Sequence, residues 1–316
     1  MPNHVLTTPS LAFLALEARL RQMKSQPPAV LAQRRLDMQA MADQQTIEYD
    51  VTFTELQLAG IPCLRVAHGH SQGVAFFVHG GAYQVGSART HRGLAARVAV
   101  RTGCEVISID YRLAPEHPFP AAFDDVVRAY IGWHSERQAG GQYDAPVALF
   151  GDSAGGGLAL AAALEIKRRG LTMPRCIALL SPWIDLTCNL ASYERLAGRD
   201  VMMTREALTQ AAAMYLASAS DRNPKASPLH SDSNEWLGLP AVLIQVGECE
   251  VLLDESLALE VALATANVDV QLEVWQHMGH AWQHFAPTVP EATQAIDSIC
   301  RFISTQRDEP ARPHAR

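Results

Sequence analysis

The sequence predicts an α/β protein whose sheet is mainly parallel and carries helices on both faces. Short apolar runs typical of buried strands alternate with helix-forming stretches along most of the chain. One of these runs ends in a glycine-rich turn that leads straight into a helix, which is typical of a sharp strand-to-helix connection. With 316 residues, of which 48% are hydrophobic and 19% are charged, the chain can bury a large core. We therefore expect one sizeable domain with an added lid.

The chain begins with two predicted helices. Apolar residues recur at helical spacing at Phe13, Leu16, Leu20 and Met23. Thr8 or Ser10 can cap this helix, and Pro27-Pro28 can end it. A second helical stretch follows at about residues 30–41. Both helices either pack on the core or form part of a lid, and the sequence barely separates these alternatives.

Two strands at residues 47–53 and 61–66, joined by a turn at Ala59-Gly60, predict an antiparallel pair at the start of the sheet. The strands that then alternate with helices lie at residues 74–78, 105–109, 147–150, 177–180, 241–246 and 270–274. Ligands of such sheets lie beyond the carboxyl ends of the strands. The last strand, Val270 to Val274, is expected at the edge, where a homodimer could form.

The interval between the strands at residues 177–180 and 241–246 is too long for a simple connection. It contains a helical run at residues 204–217 with polar and proline-containing flanks, and long insertions at this edge of a sheet are commonly lids. The predicted division is N-terminal cap helices at 1–45, a main domain at 46–184 and 223–316, and a cap insertion at 185–222.

The glycine-rich turn is Gly151-Asp152-Ser153-Ala154-Gly155. A Gly-x-Ser-x-Gly sequence between a strand and a helix holds the serine in a strained conformation that exposes its hydroxyl above the sheet. The apolar run before it and the helix-forming stretch after it, which Gly170 can end, supply that context. Ser153 is therefore the candidate nucleophile.

A second glycine-rich segment, His79-Gly80-Gly81-Ala82, follows the strand at residues 74–78. If it lies beside Ser153, the backbone N–H groups of Gly80, Gly81, Ala82 and Ala154 can converge on a developing oxyanion. A plain glycine turn is the alternative. His79 is expected to organise this loop rather than to react.

Four motifs together resemble the hormone-sensitive-lipase-like esterases of the α/β-hydrolase fold, which include bacterial carboxylesterases and lactone hydrolases. They are His79-Gly-Gly-Ala82, the segment from Asp110 to Ala122, Gly151-Asp-Ser-Ala-Gly-Gly156, and Ser181-Pro-Trp-Ile-Asp-Leu-Thr187. The resemblance implies an eight-stranded sheet, a cap built from the N-terminus and the late insertion, and a Ser–acid–His triad. The chain departs from the family at Ala82, where a third glycine is usual.

The family's acid falls on Glu250, where an aspartate is usual. Glu248 and Asp254 compete for this role, although Asp254 is also the expected N-cap of a helix at residues 255–266. Glu250 is favoured because the order Ser, acid, His is what this fold requires and because the family's acid maps there.

The base must follow the last strand, and the family's pattern of a histidine two residues before an aromatic falls on His280. His277 and His284 are expected to be solvated or packing residues. The spacing of the three histidines would suit a zinc site on one helix face, but Gly279 argues against a helix there. Asp152 is expected to be structural.

The resemblance implies acyl transfer: Ser153 attacks a carboxylic ester, His280 accepts its proton and Glu250 holds the imidazole tautomer. Small esters of short to medium acyl chain, or small lactones, are the expected substrates, with no metal or organic cofactor. An amide or peptide hydrolase is the alternative within enzymes. A ligand receptor is the alternative outside them, although relatives of that kind have lost the histidine.

Composition excludes several other functions. The formal net charge of −7 gives no attraction to nucleic acid or to anionic membranes. The apolar residues 11–16 run directly into charged positions, which suits neither a signal peptide nor a membrane span. The six cysteines are scattered singly and are typical of reduced thiols. A cytoplasmic protein without nucleic-acid or membrane partners is expected.

Overall fold

The computed structural model describes residues 3–6, 8–25, 29–141 and 145–308. The strands are β1 Asn3–Val5, β2 Thr52–Leu58, β3 Ile61–Ala67, β4 Val74–Val78, β5 Glu105–Ile109, β6 Ala148–Asp152, β7 Cys176–Leu180, β8 Ala241–Gly247 and β9 Val270–Trp275. The α-helices are α1 Leu11–Lys24, α2 Leu31–Gln44, α3 Arg92–Thr102, α4 Ala121–Ala139, α5 Ala154–Arg168, α6 Ser192–Arg195, α7 Arg205–Leu216, α8 Leu253–Thr265 and α9 Pro290–Asp308.

The strands form one sheet in the order β1-β9-β8-β7-β6-β4-β5-β3-β2. All pairings are parallel except β2 with β3 and β3 with β5. The predicted α/β class and mainly parallel sheet are therefore confirmed. The chain crosses over between strands through helices, so the carboxyl ends of the parallel strands share one edge of the sheet.

The described sheet has nine strands, whereas the resemblance implied eight. The additional strand is β1, which pairs in parallel with β9 so that Asn3 lies opposite Glu273 and Val5 opposite Trp275. The prediction that Val270 to Val274 is the outermost strand is therefore wrong. β1 pairs with the carboxyl half of β9, so this half is not free to pair with a second copy of the chain as the predicted dimer contact requires.

The first predicted strand is also corrected, because β2 spans Thr52–Leu58 rather than residues 47–53. The turn sets the register: Ala59 and Gly60 both have positive φ, at 50° and 80°, as a tight two-residue hairpin turn requires. Leu58 then pairs with Ile61, and the pairing extends back to Thr52. The alternating apolar residues before it pack on the core without joining the sheet.

The core lies on both faces of the sheet. Every residue of β4 is buried, and its side chains alternate between the two faces, with Phe76 packing among α4 and α5 and Phe77 packing among α3 and α9. Burial on both sides explains why the central strands are continuous apolar runs. Such strands fix the positions of the loops that follow them.

The N-terminal helices are attached more lightly. Ser10 is the N-cap of α1, as predicted, and its hydroxyl accepts from the Phe13 N–H at 3.1 Å. Phe13 is the buried residue of α1, and Ala42 is that of α2. The predicted stop at Pro27-Pro28 lies outside the described residues.

Polar contacts tie α1 and α2 to the rest of the protein. Ser10 donates through its backbone and hydroxyl to the carboxylate of Glu291, and Lys24 donates to the Asp200 carbonyl at 2.5 Å. Arg35 of α2 forms a two-point ion pair with Glu116. No helix in the described ranges is both long and apolar enough to cross a membrane.

Candidate active site

Ser153 lies between the end of β6 and the start of α5, with φ 53° and ψ −124°. This conformation is strained for a residue with a side chain. The flanking glycines make it possible, because a Cβ at Gly151 would lie 2.4 Å from the Gly155 carbonyl oxygen and one at Gly155 would lie 2.1 Å from that of Val78. The predicted strand, turn and helix are therefore present in the predicted order.

Three predicted residues from distant parts of the chain meet at this turn. The Ser153 hydroxyl lies 2.9 Å from His280 Nε2, and His280 Nδ1 lies 2.8 Å from Glu250 Oε2. All three side chains are buried. A carboxylate only accepts hydrogen bonds, so the proton is assigned to Nδ1 and the lone pair of Nε2 faces the serine.

The environment makes His280 a stronger base than an isolated histidine. Burial opposes its protonation, but the hydrogen bond that His280 donates to Glu250 and the charge of that carboxylate outweigh burial and raise the pKa of the imidazole above its ordinary value. The second oxygen of Glu250 accepts from the Ser181 hydroxyl and from the Gly247 N–H, both at 2.6 Å. Both oxygens of the Glu250 carboxylate are therefore hydrogen-bonded.

The competing acids lie elsewhere. Glu248 accepts from the His277 N–H at 3.3 Å and pairs with Arg199 at 3.8 Å. Asp254 accepts from the Ser192 N–H at 2.8 Å and lies inside the first turn of α8, whose N-cap is residue 252. Its predicted role as the N-cap is therefore wrong. Of the three predicted acids, Glu250 is the one in contact with His280.

The predicted oxyanion loop also lies beside the serine. Gly81, Ala82 and the following Tyr83 all have positive φ, at 117°, 53° and 62°. A Cβ at Gly81 would lie 2.0 Å from the Val85 carbonyl oxygen, so glycine is required there. Ala82 adopts the left-handed conformation at a cost of about 1–2 kcal/mol. Within the described residues, the N–H groups of Gly81, Ala82 and Ala154 have no protein acceptor.

Gly80 differs from the prediction. Its N–H donates to Asp152 Oδ1 at 2.9 Å. One N–H cannot serve a buried carboxylate and a ligand equally well, so the placement of Gly80 in the oxyanion hole is wrong. Glycine is needed here for close approach instead, because a Cβ would lie 2.3 Å from the other oxygen of the same carboxylate.

The loop is held by aromatic rings. His79 stacks on Tyr111 with ring centroids 4.2 Å apart, and the Tyr111 hydroxyl donates to the His79 carbonyl. Tyr83 stacks on Tyr215 of α7 with ring centroids 3.8 Å apart. The predicted insertion therefore contacts the oxyanion loop directly, and His79 organises the loop as expected.

Ser181 and His284 are the two contacts that sequence reasoning missed. Besides Glu250, the Ser181 hydroxyl contacts Ala281, from whose N–H it accepts at 3.1 Å, so it links the loop of the acid to the loop of the base. His284 was expected to be solvated or packing, but its Nε2 lies 3.0 Å from Asp152 Oδ2. The position of Ser181 within a family motif was the available signal.

A small apolar cavity adjoins His280. Its walls come from α1, from the loop before α7 and from the segment after the base, and include Phe13, Leu16, Leu20, Val201, Met202, Trp282 and Phe285. The first helix therefore lines the space next to the base.

A family model described as the alpha/beta hydrolase fold matches residues 75–284, which contain all of these site residues. The chain belongs to this α/β-hydrolase family.

Relatives of this α/β-hydrolase are named as esterases or as hydrolases of acetyl groups and acetate esters. An acetyl-hydrolase from Streptomyces hygroscopicus is 39% identical over 74% of this chain and 76% of its own length. An esterase from Acinetobacter venetianus is 35% identical over 81% of this chain and 82% of its own. An ethyl acetate hydrolase from Pseudomonas putida is 32% identical over 72% and 71%.

Solved structures agree with this assignment. An esterase from the bacterial hormone-sensitive lipase family is 37% identical, covers 95% of this chain and 100% of its own, and superposes with a TM-score of 0.88. A hormone-sensitive lipase from a metagenome library is 35% identical over 96% of this chain and 100% of its own, also with a TM-score of 0.88. The resemblance to hormone-sensitive-lipase-like esterases, and the ester hydrolysis that it implies, are confirmed.

Proposed function

We propose that this carboxylic ester hydrolase works through an acyl-enzyme on Ser153. The observation that carries the proposal is the chain of contacts from Glu250 through His280 to Ser153, next to backbone N–H groups without protein acceptors. A nucleophile, a base that contacts it and a third group that orients the base are the parts that acyl transfer needs.

In the acylation step, His280 Nε2 takes the hydroxyl proton while Ser153 Oγ bonds to the ester carbonyl carbon. The carbonyl oxygen becomes negative and accepts hydrogen bonds from Gly81, Ala82 and Ala154. The bond to the alkoxide then breaks, and His280 returns its proton to the leaving oxygen. Water repeats the same steps on the acyl-enzyme and releases the acid.

Glu250 keeps the imidazole in the tautomer that these steps require. A glutamate is one methylene longer than the family's usual aspartate, and the structure absorbs this length by a turn. The Glu250 N–H donates to the Gly247 carbonyl at 3.2 Å, while the carboxylate folds back to accept from the Gly247 N–H. With the side chain folded in this way, Oε2 lies 2.8 Å from His280 Nδ1 in spite of the extra methylene.

Small esters are the proposed substrates, with short to medium acyl chains or small lactone rings. The apolar cavity beside His280 supports this, because its wall is closed by α1 on one side. The names of two relatives, an acetyl-hydrolase and an ethyl acetate hydrolase, also support it. Rates on p-nitrophenyl esters of increasing length should peak at short or medium chains, and a peak at long chains would refute the substrate assignment.

An organophosphate probe tests the mechanism. We expect one phosphonyl adduct on Ser153 by peptide mass spectrometry, and loss of ester hydrolysis in proportion to labelling. Labelling of another residue with loss of activity would contradict the proposal. The absence of an adduct in the folded protein would favour a receptor.

An amide hydrolase would need the same triad and must also protonate an amine leaving group. Rates on an ester and its matching amide separate the two, and we expect the ester to react far faster.

The compartment proposed is the cytoplasm. All six cysteines are buried free thiols, which supports a reducing environment.

A further inference from the structure

Three potential metal ligands lie together behind the oxyanion loop and outside the triad. They are His91 just before α3, Asp152 at the end of β6, and His284 after the base. His284 Nε2 lies 3.0 Å from Asp152 Oδ2, and His91 Nε2 lies 3.8 Å from the same oxygen. All the donor atoms lie within 4.8 Å of one another.

The orientation of His91 is that of a metal-binding imidazole. Its Nδ1 lies 2.8 Å from the Thr90 hydroxyl and 3.2 Å from the Ser87 carbonyl oxygen. The Thr90 hydroxyl donates to the same carbonyl at 3.0 Å, so both oxygens can accept from Nδ1 and the proton is assigned there. The lone pair of Nε2 then faces Asp152 at a distance too long for a hydrogen bond. A histidine that ligates a metal through one nitrogen commonly donates from the other to a backbone carbonyl.

The spacing suits zinc. Bonds of about 2.0–2.1 Å in a tetrahedral site place neighbouring ligand atoms about 3.3 Å apart. This value lies between the 3.0 Å from His284 Nε2 to Asp152 Oδ2 and the 3.8 Å from His91 Nε2 to the same oxygen. The side chain of His284 is 27% exposed, whereas those of the other two are nearly inaccessible, so an ion would enter past His284. His79 is not a ligand, because its Nε2 faces Asp110 at 4.0 Å.

We propose that His91, Asp152 and His284 bind one divalent cation of the zinc class, with water as the fourth ligand. The ion replaces the hydrogen bond between His284 Nε2 and Asp152 Oδ2. The proton of Nε2 moves by way of solvent to Nδ1, so the imidazole stays neutral and ligates through the lone pair of Nε2. Binding therefore weakens as the pH falls and protons compete for the imidazole. The other oxygen of Asp152 remains available to the Gly80 N–H.

Calorimetric titration of the chelator-treated full-length protein with zinc chloride tests the site directly. We expect a stoichiometry of one, a raised Tm in the presence of zinc, and visible absorption bands of a tetrahedral site when cobalt replaces zinc. His284→Gln should weaken binding by at least about 10-fold, which is the effect of losing even an outer contact of a metal ligand. His68→Gln, an exposed histidine in a distant strand connection, should bind as the wild type does.

Two further variants separate this site from the triad and from failure of the proposed hydrolysis. Ser153→Ala and His280→Ala should retain zinc binding, because neither side chain is a ligand. Loss of binding in His280→Ala with retention in His284→Gln would overturn the proposal by placing the ion at the triad. If His284→Gln does not fold, His91→Gln replaces it, and unchanged zinc affinity in either folded variant would also overturn the proposal.

Discussion

The central strands and the N-terminal helices are built on opposite principles. Every residue of β6 is buried, and Ser153 lies directly between the end of this strand and the start of α5. By contrast, α1 and α2 each bury one described residue, and exposed Leu11 and Leu36 lie on them. Burial of the strands fixes the positions of the residues at their ends. The two helices are instead held by polar contacts and by a few apolar contacts. Substitutions in the first region should therefore change turnover, and those in the second should change substrate binding.

The largest effect is expected at the strand ends. Ser153→Ala and His280→Ala should each lower kcat by about a million-fold, and the double variant should be scarcely worse, because the two side chains act as one proton-transfer unit. Initial rates on a p-nitrophenyl ester measure this, with circular dichroism as the control for folding. Substantial turnover by folded Ser153→Ala would break the comparison.

Glu250→Gln comes next, with an expected loss of about two to four orders of magnitude in kcat. The amide must place its NH₂ against Ser181 and Gly247, which are donors, or against the His280 N–H, so one hydrogen bond becomes a clash. Glu248→Gln is the matched control and should be nearly silent. A large loss in the control but not in Glu250→Gln would reassign the acid.

A smaller effect is expected from the first helix. Leu16→Ala removes part of the cavity wall beside His280, and we expect KM to rise by about 10-fold, the equivalent of about 1.4 kcal/mol, with kcat little changed. Leu36→Ala on the exposed face of α2 is the control and should leave both constants unchanged. If kcat falls and KM does not, α1 takes part in positioning the base.

The smallest expected change is in the pH–rate profile. The proposed mechanism requires neutral His280, and Glu250 raises the pKa of that imidazole, so the acid limb of kcat/KM should lie above the ordinary histidine pKa of 6.5. Glu250→Gln removes the charge that raises this pKa, so its residual activity should have an acid limb at lower pH. A limb that stays in place would show that another group controls it.

Deletion of residues 1–40 is a coarser test of the N-terminal helices. It removes β1, which pairs with β9, as well as the contact of Ser10 with Glu291. We expect lower stability as well as weaker substrate binding, so Leu16→Ala is the cleaner test. Thermal unfolding of the truncated protein measures the first effect.

The parallel strands could be predicted because they are buried on both faces and are therefore continuous apolar runs. The antiparallel pair β2–β3 and its turn at Ala59-Gly60 could also be predicted. The start of β2 could not, since Tyr49 alternates with apolar neighbours but packs on α3, where its hydroxyl accepts from Arg97. β1 is only three residues long and carries no periodicity to detect. Short or one-sided elements depend on the partner they meet, which the local sequence does not contain.

The site divides in the same way. Ser153 and His280 could be predicted because each is fixed by its own short motif after a buried strand. The link through Ser181 and the engagement of the Gly80 N–H by Asp152 could not, because each is a contact between residues far apart in sequence. Hydrogen-bond partners across a fold are set by packing and not by local pattern.

The stack of Tyr83 on Tyr215 couples α7 to the predicted oxyanion loop. Both rings are almost fully buried, and the Tyr83 carbonyl accepts from the Ala114 N–H at 2.8 Å, so a displacement of α7 is transmitted to the loop that receives the oxyanion. Substitutions in α7 that displace Tyr215 should therefore change turnover even where they touch no substrate.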